Sequence, residues 1–250
     1  MEGKEQVLEV KKEQKRKRKD TIRDKRKNYE LLKTRSSPIL LCSLVQELDE
    51  LHKQAIRDMG LGCILNWNIQ EVPGRLSYWL LKRFNATAST IIISETKEIR
   101  ITTEDVHLYL GLPLGPKEIQ LNKVTVYDDI VQSFRQQFGS TVNKKIGEIK
   151  LRELPSITPK DVADMLRRSQ YPDDMFKRNF LVLFNTLVCE STYGGGVSVK
   201  ILDVLEDLYE VDQLNWAKYT MDKMLEMTIA WQKSKRPTKA CFVVQYFYQW

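Results

Sequence analysis

Histidine is nearly missing from this chain: His52 and His107 are the whole complement in 250 residues. A site that needs several imidazoles is thereby excluded, and most zinc-hydrolase chemistry goes with it, although carboxylate chemistry is untouched. Cysteine is scarce too. Cys42, Cys63, Cys189 and Cys241 stand far apart with no C-x-x-C pair, so the sequence supports neither a disulfide framework nor a zinc cluster, and reduced, mostly buried thiols are expected. No apolar run reaches the roughly 18 to 20 residues that cross a bilayer, and the first twenty residues are too charged for a secretory leader. The chain therefore reads as neither secreted nor membrane-spanning.

What is present suits a folded protein. Hydrophobic residues make up 42% and charged residues 29%, ordinary globular values without collagen-like or repetitive bias. A chain of this length buries roughly 70% of its unfolded surface, enough for a core without covalent staples. The positive charge sits at one end: residues 1–35 carry fourteen Lys or Arg against seven acids, leaving 26 of each sign in residues 36–250. The sequence thus divides into a basic arm, residues 1–37, helical or disordered, and a formally neutral module, residues 38–250. Lys15, Arg16, Lys17, Arg18 and Lys19, followed by Lys25, Arg26 and Lys27, fit a nuclear import signal or a phosphate-contacting arm, since both are read as dense positive charge. No aromatic residue precedes Tyr29, which argues against single-strand stacking on the arm itself.

The module reads as mainly α with one short hairpin. Apolar positions from Leu41 recur at helical spacing through Leu44, Val45, Leu48, Ala55, Ile56 and Met59 to Gly60, which predicts one amphipathic helix. Pro73 is placed to start a second, with Leu76, Trp79, Leu80 and Phe84 towards the core and Arg75, Lys82 and Arg83 on the other faces. Residues 90–101 predict two short strands around Glu95-Thr96-Lys97. Thr102 then caps a short helix ended by Gly111-Leu112-Pro113, and the same chemistry returns at Thr158-Pro159. A helix over 128–138 closes at Gly139, and Phe176 to Val188 carries the wide apolar stripe of a central buried helix. A further helix follows Asp212 through Leu214, Ala217, Met221, Met224, Leu225 and Thr228, and residues 240–249 form a last apolar, buried segment.

No catalytic, cofactor or metal residue set emerges. His52 lies on an apolar stripe and is read as a packed core histidine; His107 forms no dyad with Asp105. A thiol hydrolase would need Cys189 or Cys241 with a base, but both cysteines sit in apolar surroundings that favour the neutral thiol. Gly194-Gly195-Gly196 followed by Lys200 comes after a helix, where a phosphate loop would follow a strand, and is read as a flexible stop. The acid pairs Asp128-Asp129 and Asp173-Asp174 are explained by helix starts.

The ordered features Met59-Gly60, the Pro73 to Phe84 helix, Thr102 to Val106 running into Gly111-Leu112-Pro113, the Phe180 to Cys189 helix, Asn215-Trp216-Ala217 and the ending Cys241 to Tyr248 together resemble the plant mobile domain family, also labelled aminotransferase-like. The resemblance spans about residues 40–250 and departs at Thr103, where that family commonly has Pro. It implies a transposon-associated helical region of the kind found upstream of SUMO-protease-type domains, with the protease's His, Asp and Cys unmatched here. No pyridoxal-binding lysine motif accompanies the aminotransferase label.

The expected function is therefore that of a non-enzymatic, transposon-derived module in the nucleus, working through protein partners with a basic targeting arm. The alternative is a nucleic-acid-binding protein that uses the arm, and a third reading is an accessory fragment of a SUMO-type cysteine protease lacking its catalytic domain. Neither cofactor nor membrane is expected.

Overall fold

Leu41, Leu44 and Val45 are buried along the first helix of the module, and covering them begins the core. In the computed structural model the described residues are 37–71, 73–121, 129–139, 156–190, 192, 195–204 and 208–233. The basic arm with its eight named cations, and the apolar segment 240–249, lie outside them.

The expected long first helix is two. Helix α1 (Ile39–Glu47) ends where Leu48 turns extended, at φ −70° and ψ 145°, and α2 (Glu50–Asp58) starts two residues later, after Asp49. The break belongs to Asp49, whose carboxylate accepts from the amide of His52 at 2.9 Å and so creates a new helix start. Leu48, Ala55, Ile56 and Met59 remain buried across it, so the apolar spacing carries no sign of the break. A 3₁₀ turn, Gly62–Asn66, packs back on both helices.

Helix α3 (Gly74–Arg83) follows Pro73 and buries Ser77, Leu80 and Leu81. Two expectations fail here. Phe84 is not helical but opens strand β1 (Phe84–Asn85), and Trp79 faces solvent, 38% exposed. Strands β2 (Thr90–Ser94) and β3 (Lys97–Arg100) form the expected hairpin, with Ile91 opposite Ile99 and Thr90 opposite Arg100. Strand β1 joins its other edge antiparallel, Phe84 opposite Ile91. Two residues are too few to show a period of two, so β1 is invisible in the sequence.

Both predicted caps are present, and each is a reciprocal capping box. Thr102 accepts from the amide of Asp105 and Asp105 accepts from the amide of Thr102, starting α4 (Thr103–Leu110); Thr158 and Asp161 repeat the pattern at α6 (Pro159–Arg168). Between them α5 (Asp129–Gln136) buries Val131 and Phe134, and the turn after it closes at Gly139. Asp173 caps α7 (Asp174–Phe184), which runs into a π turn at Asn185–Cys189. Every residue from Asn179 to Cys189 is buried. After 3₁₀ turns at Lys200–Val204 and Leu208–Gln213, helix α8 spans Trp216–Lys233. It begins four residues beyond Asp212, with the Asn215 side chain accepting from the amide of Lys218 at 2.9 Å.

The protein is mainly α with a small three-stranded antiparallel sheet. Helix α7 is its centre. It packs on α6, which carries α1, and on α5 with the Lys200–Val204 turn; its π turn packs on α8, and α8 on α4. The hairpin reaches the helices through β2 on α3. Among the described residues no helix is long and apolar enough to cross a membrane.

Candidate interaction surface

His52 is 2% exposed, its ring edge-on to Phe176 at 4.6 Å and its Nδ1 2.7 Å from the Asp49 carboxylate. The amide and ring of His52 hold the Asp49 carboxyl below the usual carboxylate range. His52 is a packed core histidine, as the sequence reading has it, and it backs a helix cap at Asp49 that the single predicted helix left out. His107 Nδ1 lies 2.6 Å from the carbonyl of Leu112, across the turn that ends α4. Cys189 is buried with its thiol 3.2 Å from the Thr220 hydroxyl of α8. Neither histidine meets a thiol in these bonds, and Cys241 and Asp128 lie outside the described residues. Burial pushes the Cys42 thiol up, and that of Cys63 up to about 11. Among the described residues no three His, Cys, Asp or Glu side chains are grouped to hold a metal ion.

Gly194 lies outside the described residues, and the stretch from Gly195 to Lys200 is stapled. Glu190 takes the Ser198 hydroxyl at 3.1 Å and the Lys200 ammonium at 2.9 Å, while Val197 N donates to Ile157 O. Gly196 lies so close to Ser156 that a Cβ there would stand 2.4 Å from its Oγ. The Lys200 charge is thus spent on Glu190.

The short motifs behind the family resemblance meet in space. Gly111, in the left-handed region at φ 71°, closes α4 against Cys63, and the carbonyl of Pro113 accepts from the amide of Ala217 at 3.0 Å. Lys117 pairs with Leu214 through two backbone bonds, from Lys117 N to Gln213 O and from Asn215 N to Lys117 O. A Cβ on Gly115 would stand 2.1 Å from the Gln213 carbonyl, and one on Gly60 would touch both Asp212 and Pro113. Met59-Gly60, Gly111-Leu112-Pro113 and Asn215-Trp216-Ala217 therefore form one joint that fastens α2, α4 and α8 together. Its residues are chosen for backbone proximity, and Trp216 fills the space beneath, fully buried against Phe184 and Tyr219 with its Nε1 donating to Val211 O.

The sequence reading misses a different surface. Helix α3 holds Arg75, Lys82 and Arg83 and no acid, although residues 36–250 as a whole are neutral. Arg75, Trp79 and Arg83 fall four residues apart on its outer side and all are exposed. The Arg83 guanidinium lies 5.3 Å from the Trp79 ring, and the Lys82 ammonium 4.9 Å from the Tyr78 ring. Arg83 is also anchored on the sheet: β2 shifts register between Ile92 and Ser94, and Arg83 donates to the carbonyls of Ile92 and Ile93 there. Beneath, Tyr78 packs edge-on to Trp231 at 5.7 Å, and Gln232 donates to the carbonyls of Leu81 and Phe84. The result is an exposed tryptophan between two arginines on a helix bolted to α8. The i, i+4, i+8 spacing of Arg75, Trp79 and Arg83 in an acid-free stretch is the signal that could have found it; assigning Trp79 to the core hid it.

No curated protein and no solved structure matches the chain. Residues 34–244 match the profile of a family described as Domain of unknown function (DUF8566), and the chain belongs to that family.

Proposed function

We propose that this chain is a non-enzymatic interaction module, transposon-derived as the plant mobile domain resemblance implies, that works in the nucleus through protein contacts with its basic arm as the import signal. One observation carries the non-enzymatic part. The side chains that a thiol hydrolase would have to pair are held by other partners: His107 by the Leu112 carbonyl and Cys189 by Thr220. Asp105, Asp161 and Asp173 likewise spend their carboxylates on helix starts. The arm's part rests on its charge, with Lys15–Lys19 and Lys25–Lys27 carrying a sequence-independent signal that needs no fold.

The test is localisation of the full chain fused to a reporter too large to diffuse through nuclear pores. The intact arm concentrates the fusion in the nucleus, and replacing the eight named cations, those of Lys15–Lys19 and Lys25–Lys27, by Gln spreads it through the cytoplasm. Nuclear accumulation that survives the replacement would remove the arm's role. For the catalytic question, hydrolase activity that disappears in Cys189→Ala while the variant melts as a folded protein would overturn the non-enzymatic reading.

A second reading is nucleic-acid binding through the arm, favoured by the concentration of the whole +7 charge in residues 1–35. Its mark is affinity for DNA that falls steeply with salt in the full chain and is lost in the eight-cation variant.

A further inference from the structure

We infer that Tyr209 is a phosphorylation site for a tyrosine kinase whose peptide groove is basic, and that Lys177 on α7 is the cation its phosphate meets. The site lies on the folded module and needs nothing from the basic arm.

Presentation is the first of three observations that carry it. Tyr209 is 88% exposed, more than any other large hydrophobic side chain among the described residues. The turn that bears it, Leu208–Gln213, is nevertheless fastened: Leu208 and Val211 are buried, Trp216 Nε1 donates to Val211 O at 3.1 Å, and Lys117 N donates to Gln213 O at 3.0 Å. The ring is thus held outward by a packed turn, and a substrate hydroxyl must stand clear of its own surface to line up with the γ-phosphoryl in a kinase cleft. Charge is the second. Within six residues on either side of Tyr209 stand five acids and no Lys, Arg or His, whereas the same window around Tyr171, itself 70% exposed, holds three cations and two acids. Kinases select substrates by such charge patterns, and a basic groove is steered towards the first tyrosine over the second. The third is a counter-ion in place. The Lys177 ammonium lies 5.7 Å from the centre of the Tyr209 ring, with its own acid, Asp174, in a loose pair at 4.0 Å. Phosphate on Tyr209 Oη brings about −1.5 to −2 of charge to this place, and Lys177 can turn to meet it, tying the turn to the central helix. The neighbouring Glu210 is paired with Lys117 at 2.5 Å, which lessens its repulsion of the phosphate. In the reaction the γ-phosphoryl of ATP passes to Tyr209 Oη, ADP leaves, and the phenolic proton goes to the kinase's catalytic carboxylate.

The test incubates the full chain with magnesium ATP and a tyrosine kinase that accepts poly(Glu,Tyr), maps phosphotyrosine by mass spectrometry of the peptides, and compares initial rates. Tyr209 should be phosphorylated at least about tenfold faster than Tyr171 in the same molecule, and Tyr209→Phe should remove the phosphate from that peptide. Glu210→Gln together with Asp212→Asn should slow the reaction severalfold at low salt and less at high salt. Tyr209, Glu210 and Asp212 are exposed, so these variants should melt as the parent does. Should the double variant melt lower, added salt on the parent chain tests the charge instead, by narrowing the lead of Tyr209 over Tyr171. Equal rates at the two tyrosines, or no phosphate at Tyr209, overturns the site; a rate indifferent to salt and to the loss of the two acids overturns recognition by charge. The part of Lys177 is read from phosphorus NMR of the phosphorylated chain. Lys177→Met should raise the second ionisation of the phosphate, about 6 for a free ester, by roughly half a pH unit, and an unmoved midpoint overturns the counter-ion.

Discussion

At Gly111 and Gly139 the same backbone conformation meets two different surroundings. Both are in the left-handed region, φ 71° and φ 67°, but a Cβ at Gly111 would stand 2.6 Å from Cys63 Cβ, whereas at Gly139 nothing lies within 4 Å. Gly139→Ala should therefore show the conformational cost alone, about 1 kcal/mol. Gly111→Ala adds an overlap within a packed joint and should cost about 2–4 kcal/mol; the gap between the two urea-unfolding free energies measures the packing part. Cys63 itself offers a chemical test. With its thiol pushed up to about 11 by burial, it should resist iodoacetamide at pH 8 at least about tenfold more than an unperturbed thiol, because only the thiolate reacts. Its rate should climb roughly tenfold per pH unit up to pH 10, as followed by mass spectrometry of the labelled peptide.

Among the helices, α4 and α6 depend on their first residues. Asp161 is held below the usual carboxylate range, first by the Thr158 hydroxyl and then by the Thr158 amide. A carboxyl depressed in the folded state stabilises above its unfolded value near 3.9, and that stability is lost as pH falls through the lower folded value. Thr158→Ala should cost about 1 kcal/mol at pH 7 and less near pH 3, so its urea midpoint and the parent's should converge in acid. A difference that stays constant from pH 7 to pH 3 would show the box is not coupled to the titration. Between α1 and α6, Arg167 forks onto Glu47 through Nε at 2.7 Å and Nη2 at 3.2 Å, and its third nitrogen takes Asp164 at 3.0 Å. The Glu47 carboxyl is lowered by that bond from Arg167, so its contribution also fades as pH drops through its folded value. Arg167→Lys keeps the charge but loses the planar fork, and a small drop in Tm relative to the parent, present at neutral pH and vanishing in acid, is expected by differential scanning calorimetry.

Across the whole molecule the core is one body centred on α7, so damage there is not local. Phe184 is fully buried and edge-on to Trp216 at 5.3 Å, where α7 passes into its π turn beside α8. Phe184→Ala should cost about 3–5 kcal/mol, a large share of the roughly 5–15 kcal/mol a domain has, and chemical unfolding should show it as a single cooperative loss that also releases α8. Tyr209, by contrast, is 88% exposed, with the Lys177 ammonium 5.7 Å from its ring, and Tyr209→Ala should leave the unfolding free energy within about 0.5 kcal/mol of the parent's.

What the sequence determined by itself is whatever local chemistry writes into neighbouring residues. Thr102 with Asp105 and Thr158 with Asp161 are boxes complete within four residues; the hairpin's β-rich stretches around Glu95-Thr96-Lys97 and the apolar stripe from Phe176 to Val188 are equally local, and with the one-ended charge they give the mainly α class and the arm. The tertiary structure decided the rest, because each remaining feature depends on a partner distant in the chain. The break at Leu48 is hidden by an unbroken apolar face, and β1 exists only because β2 is there to pair with it. Gly115 is needed because Gln213 comes close, and Trp79 is left in solvent because α8 covers Tyr78 on the helix's other side. Spacing shows that a side chain lies on a face of a helix; only the packing of the other elements decides whether that face is covered.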